Sequence, residues 1–175
     1  MNTRSTRIII IIIGLAFLIA VAFGIIWKPI GEKQAITDYL ASMTPVAQAH
    51  IDWIEDNERT MDSYSNLSHS ERVEVLNKLL GRIEEIQIDI QESNPPDKLS
   101  DIKKKWNKEC WQFSNAIYTI IIAMNNGKPE QIPEASKILI AEANRLRQEW
   151  TEELSALLDE YDIEIADFPL DDYHN

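Results

Sequence analysis

The sequence predicts an all-α fold: an N-terminal transmembrane helix followed by an up-down-up-down four-helix bundle. Three observations carry this. Residues 8–27 form an apolar run without a single charge. Four later stretches repeat apolar residues at alternating spacings of three and four, the signature of one helix face. Glycine is scarce, with 5 in the chain, three of them at or before residue 31. So few tight turns argue against a β-sandwich and for long helices. The expected divisions are a short tail (1–7), an anchor (8–27), a hinge (28–34), the bundle (35–161) and an acidic irregular tail (162–175), in which Ile163, Ile165, Phe168 and Leu170 suggest a segment lying along the bundle.

The anchor reads IIIIIIGLAFLIAVAFGIIW. As a helix it would be about 30 Å long, the thickness of a bilayer's hydrocarbon core. Arg4 and Arg7 precede it, and Trp27 and Lys28 follow as interfacial groups. This balance favours an N-terminus in the cytoplasm and an extracytoplasmic C-terminal domain on the cell membrane. Ala20-Val21-Ala22 also fits a signal-peptide cleavage site. The apolar run continues through Trp27, however, which favours an uncleaved signal anchor and a single pass. Lys28-Pro29-Ile30-Gly31 then supplies the hinge.

The first bundle helix carries Ile36, Leu40, Met43, Ala47, His50, Ile54, Asn57 and Met61 on one seam, with Pro45 predicting a kink or restart. Ser68 and Glu71 fit a capping box. The second helix follows, with Val73, Leu76, Leu80, Ile83, Gln87 and Ile90 on its seam and Leu79 and Ile86 broadening that face, and stops at Pro95-Pro96. The third starts near Asp97. Its seam is Leu99, Ile102, Trp106, Cys110, Phe113, Ile117, Ile120 and Met124, and Gly127 and Pro129 end it. The fourth starts with Pro133 at its first helical position. Ala135, Leu139, Ala143, Leu146, Trp150, Leu154, Leu157 and Tyr161 share its face.

Charge supports the pairing of the last two helices. Lys98, Lys103, Lys104, Lys105 and Lys108 open the third, whereas Glu149, Glu152, Glu153, Asp159 and Glu160 close the fourth. Both clusters oppose the helix macrodipole, and an antiparallel pair brings them to one end. A basic collar against anionic headgroups is the other reading.

The chain has 17 basic and 29 acidic residues, a net charge of −12. Such a surface repels nucleic acid, so no nucleic-acid partner is expected. Cys110 is the only cysteine, which rules out an intrachain disulfide. The chain lacks a Gly-rich phosphate loop, a nucleophile elbow and the paired Glu-x-x-His of diiron bundles. No enzyme activity, catalytic residue, metal or cofactor is therefore expected. His50 is the candidate core polar residue, and Cys110 reads as a small core hydrophobe. Trp111 stands off the third helix's seam beside Tyr118 and Ile122. These three are the candidate contacts for a partner or ligand.

The Tyr39…Pro45…Trp53 helix, the Asn94-Pro95-Pro96 break and the Ala135…Ala143-Asn144-Arg145-Leu146 helix carry a resemblance. The chain resembles small bacterial membrane-anchored extracytoplasmic helical-bundle proteins of unassigned function. The resemblance implies no activity. The expected function is a structural or protein-interaction module, tied to the bilayer through residues 8–27 and meeting an unknown protein partner. The alternative is a ligand-binding sensor bundle working with a partner.

Overall fold

Apolar periodicity is realised as four helices: α1 (Thr3–Ser63), α2 (His69–Glu92), α3 (Ser100–Asn125) and α4 (Glu134–Tyr161). Single 3-10 turns at Tyr64–Asn66 and Asp97–Leu99 precede α2 and α3. The computed structural model describes residues 3–127, 132–164, 168–170 and 173, with side chains from residue 30 onward. Among the described residues there is no strand.

Each helix packs on the next in sequence, and α3 with α4 forms the most extensive pair. The core is one continuous cluster that draws on all four helices, including Ile36, Leu40, Leu76, Ile83, Ile120 and Leu154. In α2 the buried positions are Leu76, Leu79, Ile83, Ile86 and Ile90. Leu79 and Ile86, expected to broaden the seam, are buried, whereas Val73, Leu80 and Gln87 of the seam are half-buried, because α2 packs against both α1 and α3. The Trp53 indole of α1 donates to the Leu79 carbonyl at 2.8 Å, a side chain to backbone bond across that interface. Residues 105 and 153, and 109 and 147, pair across α3 and α4, so these two helices run antiparallel.

The helix ends follow their local chemistry. Ser68 forms the capping box: its hydroxyl accepts from the Glu71 N–H, and its own N–H donates to the Glu71 carboxylate at 2.7 Å. Glycine is required at Gly127, where φ is 78° beyond the end of α3. Pro133 is the N-cap of α4 and not its first helical residue. Helix α1 continues through Pro45, where a kink or restart is expected from sequence. Hydroxyls line this stretch: Ser42 donates to the Tyr39 carbonyl at 2.6 Å and Thr44 to the Leu40 carbonyl at 3.2 Å. It is likewise continuous through Pro29 and Gly31, the expected hinge.

The membrane expectation is corrected. Among the described residues, no helix is long and apolar enough to cross a membrane. The part of α1 whose side chains are described carries Glu32, Lys33, Asp38 and Asp52 alongside Ile36, Leu40, Met43 and Ala47, a charge density that hydrocarbon does not accept. The assignments of a transmembrane helix, a signal anchor, a single pass and an extracytoplasmic cell-membrane location are set aside on that finding. The stretch 8–27 itself, with Arg4, Arg7, Trp27 and Lys28, lies outside the residues whose side chains are described.

The basic and acidic clusters of α3 and α4 meet only in part. Lys105 pairs with Glu153 and reaches Glu149 at 4.0 Å. Lys108 lies 3.7 Å from Glu142. Lys103 instead donates to the Gln91 carbonyl at 2.9 Å, at the C-terminal end of α2, and Lys104 pairs locally with Asp101. Exposed pairs of this kind contribute at most about 1 kcal/mol each.

The capping box provides a local test of the α2 start. Ser68→Ala should lower stability by about 1 kcal/mol in urea denaturation, because one helix N–H then loses its acceptor.

Candidate functional site

A carboxylate with no solvent exposure must find its partners inside the protein. Glu109 of α3 is such a group. The Arg147 guanidinium, one helix away on α4, donates through Nε to Glu109 Oε1 at 2.8 Å. The Trp150 indole, one turn further along α4, donates to Oε2 at 2.7 Å. Arg147 keeps a partly exposed side chain and lies over the Phe113 ring, 5.3 Å from its centroid.

His50 of α1 completes the cluster and is also fully buried. The Trp106 indole donates to its Nδ1 at 2.9 Å. Nδ1 is thus the acceptor, so the ring proton sits on Nε2. Nε2 lies 3.6 Å from Glu109 Oε1 and 4.0 Å from the Cys110 sulfur. Tyr173, near the C-terminus, closes the remaining side. Its hydroxyl donates to the Ala47 carbonyl at 3.0 Å and lies 3.3 Å from His50 Nδ1.

Burial sets the electrostatics. It pushes the His50 pKa well below the usual imidazole value, and the Arg147 charge lowers it further. The ring is neutral, so His50 and Glu109 are not an ion pair. Burial raises the Glu109 pKa, while the Arg147 charge and the bonds from Arg147 and Trp150 oppose the rise. The Cys110 thiol is pushed well up by burial and then by the Glu109 charge. That disfavours the thiolate, the reactive form.

The aromatic shell is dense. Trp106 stacks on Trp150 at 5.3 Å, and Tyr173 meets Trp150 edge-on at 4.8 Å. A gap of about 10 Å³ remains beside Trp106, Trp150 and Phe168, room for one water at most. Larger grooves open to solvent elsewhere, one of about 240 Å³ along Asp56, Arg59, Lys78 and Arg82. Among the described residues, no group of three His, Cys, Asp or Glu side chains is placed to hold a metal ion. The described donors and acceptors of the cluster are engaged with one another, which orders the interior.

The other candidates lie elsewhere. Trp111, Tyr118 and Ile122 are 49%, 56% and 43% exposed on the outer face of α3, away from the cluster. Arg147 and Tyr173 are absent from the sequence reading. The available signal for Arg147 is its position beside Leu146 and one turn before Trp150, a cation bordering an apolar face. Comparison with family models, with curated proteins and with solved structures finds no match to this chain.

Two measurements probe the cluster. Glu109→Ala leaves the Arg147 charge and the Trp150 N–H without their acceptor, and should cost about 3–5 kcal/mol in urea denaturation. His50 gives a pH signature. Its pKa is depressed in the folded state, so the unfolded chain takes up the proton first, and stability falls as pH drops below about 6.5. Between pH 7.5 and 5.5 this contributes a loss of about 1.4 kcal/mol. Glu109, with its raised pKa, acts in the opposite sense. The wild type should therefore lose more stability across this interval than His50→Gln, which keeps an acceptor for Trp106.

Proposed function

We propose that this protein is a structural and protein-interaction module, acting through contacts and not through chemistry. We infer an up-down-up-down course for its four helices, supported by the pairing of each helix with the next. One observation carries the functional reading: α3 has a second seam, facing outward. Lys104, Lys108, Trp111, Asn115, Tyr118, Ile122 and Asn125 recur at spacings of four and three, the period of a coiled-coil face. All are exposed except Asn115, which is half-buried. Two large aromatics and an isoleucine on such a period are an interaction surface in need of a cover.

The occupant that fits is the same face of a second copy, running antiparallel about Asn115. Two-fold, self-complementary contacts are the commonest way for like chains to associate. In a parallel pair, Lys104 and Lys108 would meet their own copies. In the antiparallel pair, Trp111 meets the Tyr118 region of the other chain. Lys108 lays its aliphatic stem along Ile122, and Lys104 approaches the C-terminal end of the opposing α3. That end has no basic residue in its last turn and carries the negative end of the helix dipole. Asn115 at the axis can pair amide to amide, a device that sets register.

Cross-linking tests this arrangement in the full chain. In a Cys110→Ala background, Asn115→Cys should give a disulfide-linked dimer on mild oxidation, and adding Trp111→Glu should suppress it. Ile138→Cys, exposed on α4, is the control. Equal cross-linking at positions 115 and 138, or none at 115, rejects the proposal.

A further inference from the structure

The described residues beyond α4 pack against the bundle. Beyond α4 the chain turns at Asp162, in the left-handed region with φ of 50°. Ile163, Phe168 and Tyr173 are then buried against the helices. Phe168 lies beside Tyr39 and Leu40 of α1, Trp106 of α3 and Trp150 and Leu154 of α4. Tyr173 reaches between α1 and α4: its ring meets Trp150 at 4.8 Å and His50 at 5.6 Å, and its hydroxyl bonds to the Ala47 carbonyl. This one phenol thus combines an edge-to-face aromatic contact with a hydrogen bond in a dry site.

The manner of attachment matters as much as the fit. The described backbone-to-backbone bonds of this segment are local turns: Ile163 N–H to the Leu158 carbonyl, Leu170 N–H to the Phe168 carbonyl and Tyr173 N–H to the Leu170 carbonyl. At the turn itself the Asp162 carbonyl accepts from Lys33 of α1, and the described contacts of Phe168 and Tyr173 with the helices come through their side chains. A segment held this way can leave without breaking a helix or a strand ladder. Its departure would uncover a slot walled by Ala47, His50, Trp106 and Trp150.

We propose that the groove between α1 and α4 is a peptide-binding site for a segment bearing spaced aromatic residues, occupied in cis by Phe168 and Tyr173 of this chain. Phe168 and Tyr173 are the anchors, and Tyr173 sets specificity through the Ala47 carbonyl. The site lies apart from the outer α3 face and does not depend on self-association there. In the resting chain the tail is an intramolecular competitor, and a copy of the same segment from a second chain is the matching occupant in trans.

The test uses a labelled peptide of residues 163–175 added to two hosts. One is the chain ending at Asp162. The other is the full-length Phe168→Ala/Tyr173→Ala chain, which keeps the groove walls. Both should bind the peptide saturably, with a change in tryptophan fluorescence, and at least tenfold more tightly than the unaltered chain does. The same peptide carrying Tyr173→Ala should bind at least tenfold more weakly. If either host keeps its helical circular dichroism yet fails to bind, or if the unaltered chain binds equally well, the proposal is overturned. If the shortened chain does not fold, the full-length double variant alone decides.

Discussion

The structure depends on one constraint: the Glu109 carboxylate has no water to turn to. Its two oxygens take Arg147 and Trp150, both from α4. Apolar faces tolerate a slip of one helical turn, since one leucine or isoleucine replaces another at modest cost. A carboxylate does not tolerate it. A one-turn slip of α4 would remove both donors and leave a buried charge unpaired, which is strongly unfavourable. The α3–α4 register is therefore specified by polar chemistry set inside an apolar interface.

The same logic extends to α1 and to the tail. His50 can be buried because its acceptor nitrogen receives the Trp106 N–H and its donor nitrogen faces Glu109. The three buried indoles each find an acceptor: Trp53 the Leu79 carbonyl, Trp106 the His50 ring and Trp150 the Glu109 carboxylate. Tyr173 adds a fourth aromatic whose hydroxyl is satisfied by backbone. Large aromatic groups thus fill the volume, and their polar edges tie α1, α2, α3, α4 and the C-terminal segment to particular partners.

Local signals in the sequence are realised where the responsible atoms are close in the chain. The Ser68 cap, the stop before Pro95 and the glycine at 127 each involve residues within one turn of each other. Proline is less decisive: α1 runs through Pro45, because the loss of one backbone bond is tolerated within a helix packed along its length. The face of α2 shows a further limit: Leu79 and Ile86, at its edge by spacing, are buried, while Val73 and Leu80 are half-buried. Periodicity identifies an apolar stripe, but the number of neighbouring helices decides where its centre lies. The candidate site was partly legible. His50 and Cys110 fall on core-facing positions by spacing alone, whereas Glu109, Arg147 and Tyr173 have no local pattern that names them as partners.

By itself, the sequence determined that this chain forms helices, roughly where they begin and end, and which residues stand on their apolar faces. Those properties depend on 3.6-residue periodicity and on caps, both of which act over a few residues. The spacing of Ile163, Phe168 and Leu170 already suggested a segment lying along the bundle, whereas the tertiary structure alone decided that residues 50, 109, 147 and 173 converge. Contacts between positions so far apart arise from which helix lies beside which. That choice is made by burying all the apolar faces and all the polar groups at once, and no short window of sequence contains it.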